Sequence, residues 1–185
     1  ERGREYACIE NIDRQVGRVL DKLEAMGELE NTYIFYSADH GIAVGRHGLM
    51  GKQNLYEHTW RVPMIIRGPG IKAGSRAQGN TYLMDLLPTF CDLASIQKPD
   101  TFDGIGFKLV VKGERDTVRD VLYRTYNRGT QPGIGSVKNG AWKLMLDHVP
   151  DWDDKETHQL NLKDNRKESP RLTDATDVVA SLGGR

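Results

Sequence analysis

The order of a helix-like pattern and a short β-rich segment ending in polar residues constrains the fold of this chain most. Between Tyr6 and Met26, apolar residues recur at three- and four-residue steps, which is typical of an amphipathic helix. The segment NTYIFYSA (31–38) then favours a buried strand, whose end delivers Asp39 and His40. Ligands bind at strand ends in α/β proteins, so this order predicts an α/β core with a polar edge.

Two further elements of the core follow before the character of the sequence changes. VPMIIRGPG (62–70) predicts a second strand, and TYLMDLLPTFCDLA (81–94) predicts a second helix. The apolar residues expected to face inward from this helix are Leu83, Leu86, Leu87, Phe90 and Leu93. After residue 100, short alternating segments separated by Gly, Asn and Asp predict a small antiparallel sheet. We therefore expect a core over 1–110 and an antiparallel-sheet subdomain over 111–185, with a helical pattern from Ser169.

Composition excludes several classes of partner. Of the 185 residues, Lys plus Arg and Asp plus Glu number 26 each, so net charge indicates neither a nucleic-acid surface nor an acidic lipid surface. No run approaches the roughly 18 apolar residues of a membrane span. The first residues, ERGREY, contain neither an initiator Met nor an apolar signal region, and an internal start within a longer protein is expected.

The glycine-rich stretch ADHGIAVGRHGLMGKQ carries the candidate chemistry. Asp39 offers a hard oxygen and His40 an imidazole nitrogen, and at a strand end both can face one divalent cation. Lys52 follows a flexible loop that can fold its ammonium toward an anion on the same metal. The alternatives are an ordinary turn, in which Asp39 caps backbone N–H groups, and a solvated surface charge for Lys52.

The motifs in this stretch also carry a family resemblance. An Asp-His-Gly step, a Gly-x-His-Gly turn, a Gly-Lys pair and a Val-Pro strand follow one another over more than 30 residues. This succession strongly resembles the sulfatases of the alkaline phosphatase superfamily, and the flanking segments resemble the C-terminal portion of such an enzyme. The resemblance implies part of an alkaline-phosphatase-like α/β core, followed by a small antiparallel sheet with a C-terminal helix.

The resemblance also assigns roles to individual residues. It implies that Asp39 and His40 bind a divalent cation, calcium as a rule, and that Lys52 contacts the sulfate of the substrate. His47 is a candidate substrate contact, with a purely structural role as the alternative. His58 is expected to pack or to support the site. The tryptophans are either sugar-pocket or packing residues, with packing favoured.

The catalytic nucleophile of the family has no counterpart in the sequence. Sulfatases use a formylglycine made from the Cys or Ser of a Cys/Ser-x-Pro-x-Arg motif. Cys8 and Cys91 are not in that setting, and Ser169 is followed directly by Pro. No catalytic residue is therefore assigned, the formylglycine is expected in a missing N-terminal part, and this chain alone is expected to be inactive.

These expectations define one leading function and two alternatives. The leading function is hydrolysis of a sulfate monoester, on a sulfated small molecule or glycan, by an intact enzyme of which this chain is the C-terminal portion. The alternatives are a phosphonate monoester hydrolase or phosphodiesterase of the same superfamily, and a non-catalytic module that binds an anion or a partner. Family habit implies a periplasmic or secreted location.

Overall fold

The computed structural model describes residues 2–128, 131–147 and 156–161. Its longer helices and its strands, in chain order, are α1 (Arg2–Ala25), β1 (Ile34–Ser37), β2 (Ala43–Val44), β3 (Met50–Gly51), α2 (Glu57–Trp60), β4 (Met64–Arg67), α3 (Leu86–Ala94), α4 (Lys108–Val111), β5 (Val121–Arg128), β6 (Gln131–Asn139), β7 (Trp142–Asp147) and β8 (Glu156–Asn161). Short 3-10 turns cover Leu29–Asn31, Arg46–Gly48 and Leu83–Asp85. The predicted helical pattern from Ser169 lies outside the described residues.

The long first helix ends as its sequence predicts. Gly27 has a φ of +72°, a left-handed conformation that glycine adopts without strain. The amides of Gly27 and Glu28 turn back to donate to the carbonyl oxygens of Glu24 and Leu23, which satisfies the last turn. Within the described part of the chain, the apolar side chains of Ile9 and Val19 on this helix are exposed.

Strands β1 and β4 form an antiparallel pair that carries the polar edge. Ser37 is opposite Met64 at one end of the ladder, so the chain passes directly from the paired residues to Asp39. One face is covered, because Phe35 of β1 packs edge-on against Phe90 of α3, with ring centroids 4.7 Å apart. Both predicted strands are confirmed, but β1 is half-buried rather than fully buried along the described chain.

The inward face predicted for the second helix is wrong in part. Leu83, Leu87 and Phe90 are exposed, whereas Asp85 and Thr89 are completely buried. The cause is a pair of side-chain contacts to the segment before α4. Asp85 Oδ1 accepts the Ile105 amide at 2.7 Å, and Thr89 Oγ1 accepts the amide of Phe107 at 2.9 Å. These bonds turn a polar side of the helix inward and leave part of its apolar stripe outside.

The second half of the described chain is a four-stranded antiparallel sheet in the order β5-β6-β7-β8, as predicted. It is fixed to the preceding segments at separate points. The hydroxyl of Tyr82 accepts the backbone amide of Tyr123 at 2.6 Å and donates to its carbonyl at 2.9 Å. Arg119, just before β5, makes a two-pronged ion pair with the buried Asp85, with contacts of 2.5 and 3.1 Å. Among the described residues, no helix is both long and apolar enough to cross a membrane.

Candidate active site

A short hairpin brings the predicted site residues together. Ala43 pairs with Gly51 and Val44 with Met50, so β2 and β3 run back along each other and Lys52 returns to the level of Ile42. The turn between them contains residues with positive φ, Gly45, His47 and Gly48. Such backbone is costly for most residues but open to glycine, which explains why this loop is glycine-rich.

Asp39, His40 and Lys52 form one contact group at the end of β1. The Nε2 atom of His40 lies 3.1 Å from Oδ2 of Asp39 and 2.7 Å from Nζ of Lys52. The group is solvent-accessible, since the side chain of Asp39 is 81% exposed and that of His40 is 38% exposed. The structure therefore places all three groups on one edge, as the sequence predicts.

The hydrogen bonds of His40 indicate its tautomer, that is, which ring nitrogen carries the hydrogen and which carries the lone pair. An ammonium can only donate, so Nε2 of His40 is the acceptor of the bond from Lys52. The other nitrogen, Nδ1, then carries the hydrogen and donates to the carbonyl of Gly41 at 3.1 Å. In this tautomer the Nε2 lone pair is directed at the Lys52 ammonium, with the carboxylate of Asp39 3.1 Å from the same nitrogen.

This pair of donors fits part of a divalent-cation site. The Asp39 carboxylate oxygen and His40 Nε2, 3.1 Å apart, can both approach one ion at ordinary ligand distances, but the Lys52 ammonium takes the Nε2 lone pair in this structure and has to leave it for a cation to bind there. Calcium takes six to eight ligands, and no group of three or more His, Cys, Asp or Glu side chains is placed to hold a metal within residues 2–128, 131–147 and 156–161. The assignment of Asp39 and His40 as metal ligands thus remains a prediction, and it requires further ligands from outside this group.

His47 is placed differently from the three residues above. Its ring stacks on Tyr56, with centroids 4.3 Å apart, and lies 5.6 Å from the ring of His58. The Nε2 atom of His47 and both ring nitrogens of His58 are buried without a hydrogen-bond partner among the described residues. Burial, followed by the nearby His47, Arg46 and Lys143, lowers the pKa of His58. The expected packing role of His58 fits this stack, and the substrate role of His47 stays a prediction.

The turn after His40 is closed against the backbone of α2. The amide of Gly41 donates to the carbonyl of Thr59 at 2.6 Å. A Cβ atom on Gly41 would lie 2.0 Å from the carbonyl oxygen of His58, far inside contact distance. Only glycine therefore allows this close approach, which fixes the backbone that presents His40.

Supporting residues that sequence reasoning missed lie in and around α2. Asn54 is buried, and its Oδ1 accepts bonds from the amide of Tyr56 and the hydroxyl of Thr59. Glu57 pairs with Lys143, a fully buried lysine of β7, across 3.0 Å. The signal available in the sequence was weak: an Asn before a short helix, and a charged residue within an apolar strand.

The tryptophans of the described chain favour packing over a sugar pocket. Trp60 donates from Nε1 to the carbonyl of Asn54 at 2.6 Å and packs against the core around Leu55. Trp142 is 45% exposed on β7, and Trp152 lies outside the described residues. An open cavity of about 350 Å³ beside β4 includes Arg61 and Arg76 but not the three site residues. The candidate site is therefore an exposed edge rather than a closed pocket.

Comparison with solved structures defines the class of fold. The chain is similar to a protein solved in complex with its substrate, D-glucosamine-2-N,6-O-disulfate, with a TM-score of 0.82 and 29% identity. The match covers 95% of this chain and 36% of that one. A phosphonate monoester hydrolase from Silicibacter pomeroyi has the same fold at a TM-score of 0.72 and 22% identity, over 93% of this chain and 36% of that chain. The fold is an alkaline-phosphatase-like α/β architecture.

Comparison with family models and curated proteins gives the family. The protein-family model described as sulfatase matches residues 1–96 of this chain. The chain therefore belongs to the sulfatase family. It is 40% identical over 119 residues to an N-acetylglucosamine-6-O-sulfatase of Bacteroides thetaiotaomicron, covering 63% of this chain and 21% of the relative. It is 35% identical over 146 residues to the N-acetylglucosamine-6-sulfatase of Bos taurus, covering 75% and 26%. The chain thus spans about a quarter or less of the length of these relatives.

Proposed function

We propose that this chain is the C-terminal portion of a sulfatase whose intact form hydrolyses a sulfate monoester on a sugar or glycan. The observation that carries the proposal is the contact group of Asp39, His40 and Lys52 at one accessible edge. A carboxylate and an imidazole lone pair suit a cation, and the adjacent ammonium suits an oxyanion. An edge that offers both is suited to a substrate whose anionic group bridges them.

Each group has a defined task in that reaction. A divalent cation, calcium by family habit, would when bound neutralise charge on a sulfate oxygen, with Asp39 and His40 among its ligands. Lys52 supplies a fixed positive charge to the sulfate and to the charge that grows in the transition state. The nucleophile, a formylglycine in this family, is proposed to come from a preceding segment of the same enzyme, so the isolated chain should bind without turnover.

The relatives suggest the class of substrate. Two of them are sulfatases named for the 6-sulfate of N-acetylglucosamine, and a solved relative was crystallised with a 6-O-sulfated glucosamine. We therefore propose a 6-O-sulfated glucosamine unit as the first substrate to test. A periplasmic or secreted location, where sulfated glycans are encountered, is part of the same proposal.

A phosphonate monoester hydrolase or phosphodiesterase is the second candidate function. It is favoured by the likeness to the enzyme from Silicibacter pomeroyi, which shows that this fold also serves phosphorus esters. Sulfate monoesters and phosphate diesters each carry a single negative charge. Lys52 and a bound cation would therefore stabilise either ester and do not discriminate between the two substrate classes. A non-catalytic anion-binding module is the third reading.

The test uses the full-length gene product that contains this chain. Purified protein is supplied with calcium and offered glucosamine 6-sulfate, an aryl phosphonate monoester and an aryl phosphate diester at equal concentration. Sulfate release with the largest kcat/KM supports the proposal, whereas faster hydrolysis of a phosphorus ester replaces it with the second candidate. If no ester is hydrolysed and no in-frame Cys/Ser-x-Pro-x-Arg motif lies upstream, the result supports the non-catalytic anion-binding module instead.

A further inference from the structure

One face of the four-stranded sheet is built to dock on the segment that follows Lys52. Side chains alternate between the two faces of a strand, and those on this face pack with Leu55. The apolar members of the contact are Tyr126, Ile134 and Met145 from the sheet, and Tyr56 and Trp60 from the docked segment itself. Residues 54–60 therefore rest on the sheet, although its first strand begins only at Val121.

The charged residues of that face require a counter-ion from α2. Lys138 of β6 and Lys143 of β7 are directly opposite each other, a pairing that is unfavourable for like charges. Glu57 forms an ion pair with each of them, with Oε2 at 3.5 Å from Nζ of Lys138 and Oε1 at 3.0 Å from Nζ of Lys143. Arg124 of β5 also contacts Glu57, at 3.4 Å. One carboxylate thus holds three cations of the sheet.

Stability alone does not account for this buried cluster. The side chain of Lys143 is fully buried, and a buried ion pair is often no more stabilising than an apolar pair of similar volume. What the charges add is a defined geometry, because Lys143 Nζ also donates to the carbonyl of Leu55 at 2.5 Å. The ammonium consequently fixes both the backbone and the side chain of the docked segment relative to β7.

The docked segment is joined to both parts of the candidate site. On one side, the amide of Asn54 donates to the carbonyl of Lys52 at 2.9 Å. On the other, the carbonyl of Thr59 accepts the amide of Gly41, whose own carbonyl accepts Nδ1–H of His40. A shift of residues 54–60 on the sheet would therefore move the ammonium and the imidazole together.

We propose that the ion pair between Glu57 and Lys143 is a positioning device through which the C-terminal sheet sets the placement of Lys52 and His40. This inference rests on the proposed function for its catalytic consequence, but its structural consequence can be measured without any substrate. Glu57 and Lys143 are thus positioning residues, since neither contacts Asp39, His40 or Lys52 in the hydrogen bonds and ion pairs of the described chain.

The experiment compares Lys143→Met with Tyr82→Phe. Methionine keeps most of the volume of lysine and removes its ammonium. The control removes the hydroxyl that ties the sheet to the core through the backbone of Tyr123, a contact that does not involve residues 54–60. Backbone amide exchange is measured, within the full-length protein that contains this chain, at Gly41 and Asn54 and, as an internal reference, on the ladder between β6 and β7. Values of kcat and KM are measured in the full-length protein.

In Lys143→Met, we expect exchange at Gly41 and Asn54 to rise about tenfold while the ladder amides stay within about twofold. The value of kcat should fall about tenfold in the same variant, because a displaced Lys52 no longer matches the transition state. Tyr82→Phe should lower thermal stability without either effect. Unchanged exchange at Gly41 in Lys143→Met would overturn the inference.

A second variant, Glu57→Gln, keeps the side-chain volume and weakens the same pair, and it should reproduce both effects if Lys143→Met fails to fold. Global unfolding of both variants would also overturn the inference, since the pair would then serve stability as a whole. If the unmodified full-length protein releases no sulfate, the proposed function fails, while the exchange data still decide whether the sheet positions the loop.

Discussion

The Nζ atom of Lys52 lies 2.7 Å from Nε2 of His40, so the anion-binding candidate and a metal-ligand candidate are in direct contact. The contact depends on the β2–β3 hairpin, which returns the chain to the end of β1. Asp39 approaches the same nitrogen from another side at 3.1 Å. The three groups therefore differ in charge but share one location, which allows their roles to be separated by substitution.

The variants Asp39→Ala and Lys52→Ala should affect the full-length enzyme in different ways. Loss of the Asp39 carboxylate removes a cation ligand, so the calcium concentration needed for half-maximal activity should rise along with a loss of kcat/KM. Loss of the Lys52 ammonium should reduce kcat/KM by roughly 10²-fold at an unchanged calcium requirement. The measurement is sulfate release as a function of calcium concentration. Kinetics equal to those of the unmodified enzyme in both variants would defeat the assignment.

Gly41→Ala should damage the site without touching any of its functional groups. The added methyl would lie 2.0 Å from the carbonyl oxygen of His58, so the turn after His40 must shift away from α2. A displacement of about 1 Å can cost about 10²-fold in rate, and we expect a loss of that order in kcat/KM.

Gly17→Ala is the matched control for this substitution. Gly17 lies within α1, and a Cβ there meets no atom of the described residues within 4 Å. The substitution should raise the free energy of unfolding by about 1 kcal/mol through helix propensity and leave activity unchanged. Equal activities of the two glycine variants would show that the close approach at Gly41 does not hold the site.

The local elements could be predicted from the sequence because their signals are local. Alternation and turn residues predicted β1, β4 and the four strands of the later sheet, and the Asp-His-Gly and Gly-Lys motifs predicted which residues meet at the edge. The inward face of α3 was predicted wrongly in part because the prediction used only the spacing of apolar residues. The burial of Asp85 depends instead on Ile105 and on Arg119, which is 34 positions away.

The support of the site was missed for the same physical reason. From the sequence alone, Lys143 is interpreted as a solvated charge on a strand. Its burial depends on the contact with Glu57, which is 86 positions away. The sequence also does not indicate that the rings of His47, Tyr56 and His58 pack together or that the carbonyl of Thr59 accepts the amide of Gly41. Motifs identified the groups that carry chemistry, whereas the contacts that hold them required the tertiary structure.

Asp85→Asn should destabilise the chain, and the effect should depend on pH. Burial raises the pKa of Asp85, but the ion pair with Arg119 and the amides of Tyr82 and Ile105 together hold that pKa below its usual value. A depressed carboxyl pKa contributes stability above the unfolded-state pKa of about 4 and loses it as the pH falls further.

Urea unfolding at pH 7 should therefore show a loss of about 3 kcal/mol in the asparagine variant, because Arg119 is left without its carboxylate. At pH 3 the gap between the two proteins should narrow. The exposed pair of Lys98 and Asp92 offers a control, since Lys98→Met removes a solvent-accessible ion pair and should cost less than about 1 kcal/mol. A constant difference between pH 7 and pH 3 would mean that Asp85 does not titrate with folding.

His58→Phe should reduce the sensitivity of the fold to mild acid. Burial lowers the pKa of His58, and the facing groups His47, Arg46 and Lys143 lower it further. Below pH 6.5 the unfolded chain therefore binds a proton more readily than the folded chain does, so the free energy of unfolding falls as the pH drops from 7 toward 5. Phenylalanine can keep the stack on Tyr56 without a titratable group, and it removes two buried nitrogens that have no hydrogen-bond partner in the part of the chain that the structure describes. Denaturant unfolding at pH 7, 6 and 5 should give a shallower decline in the variant, and parallel declines in the two proteins would place the acid sensitivity at other residues.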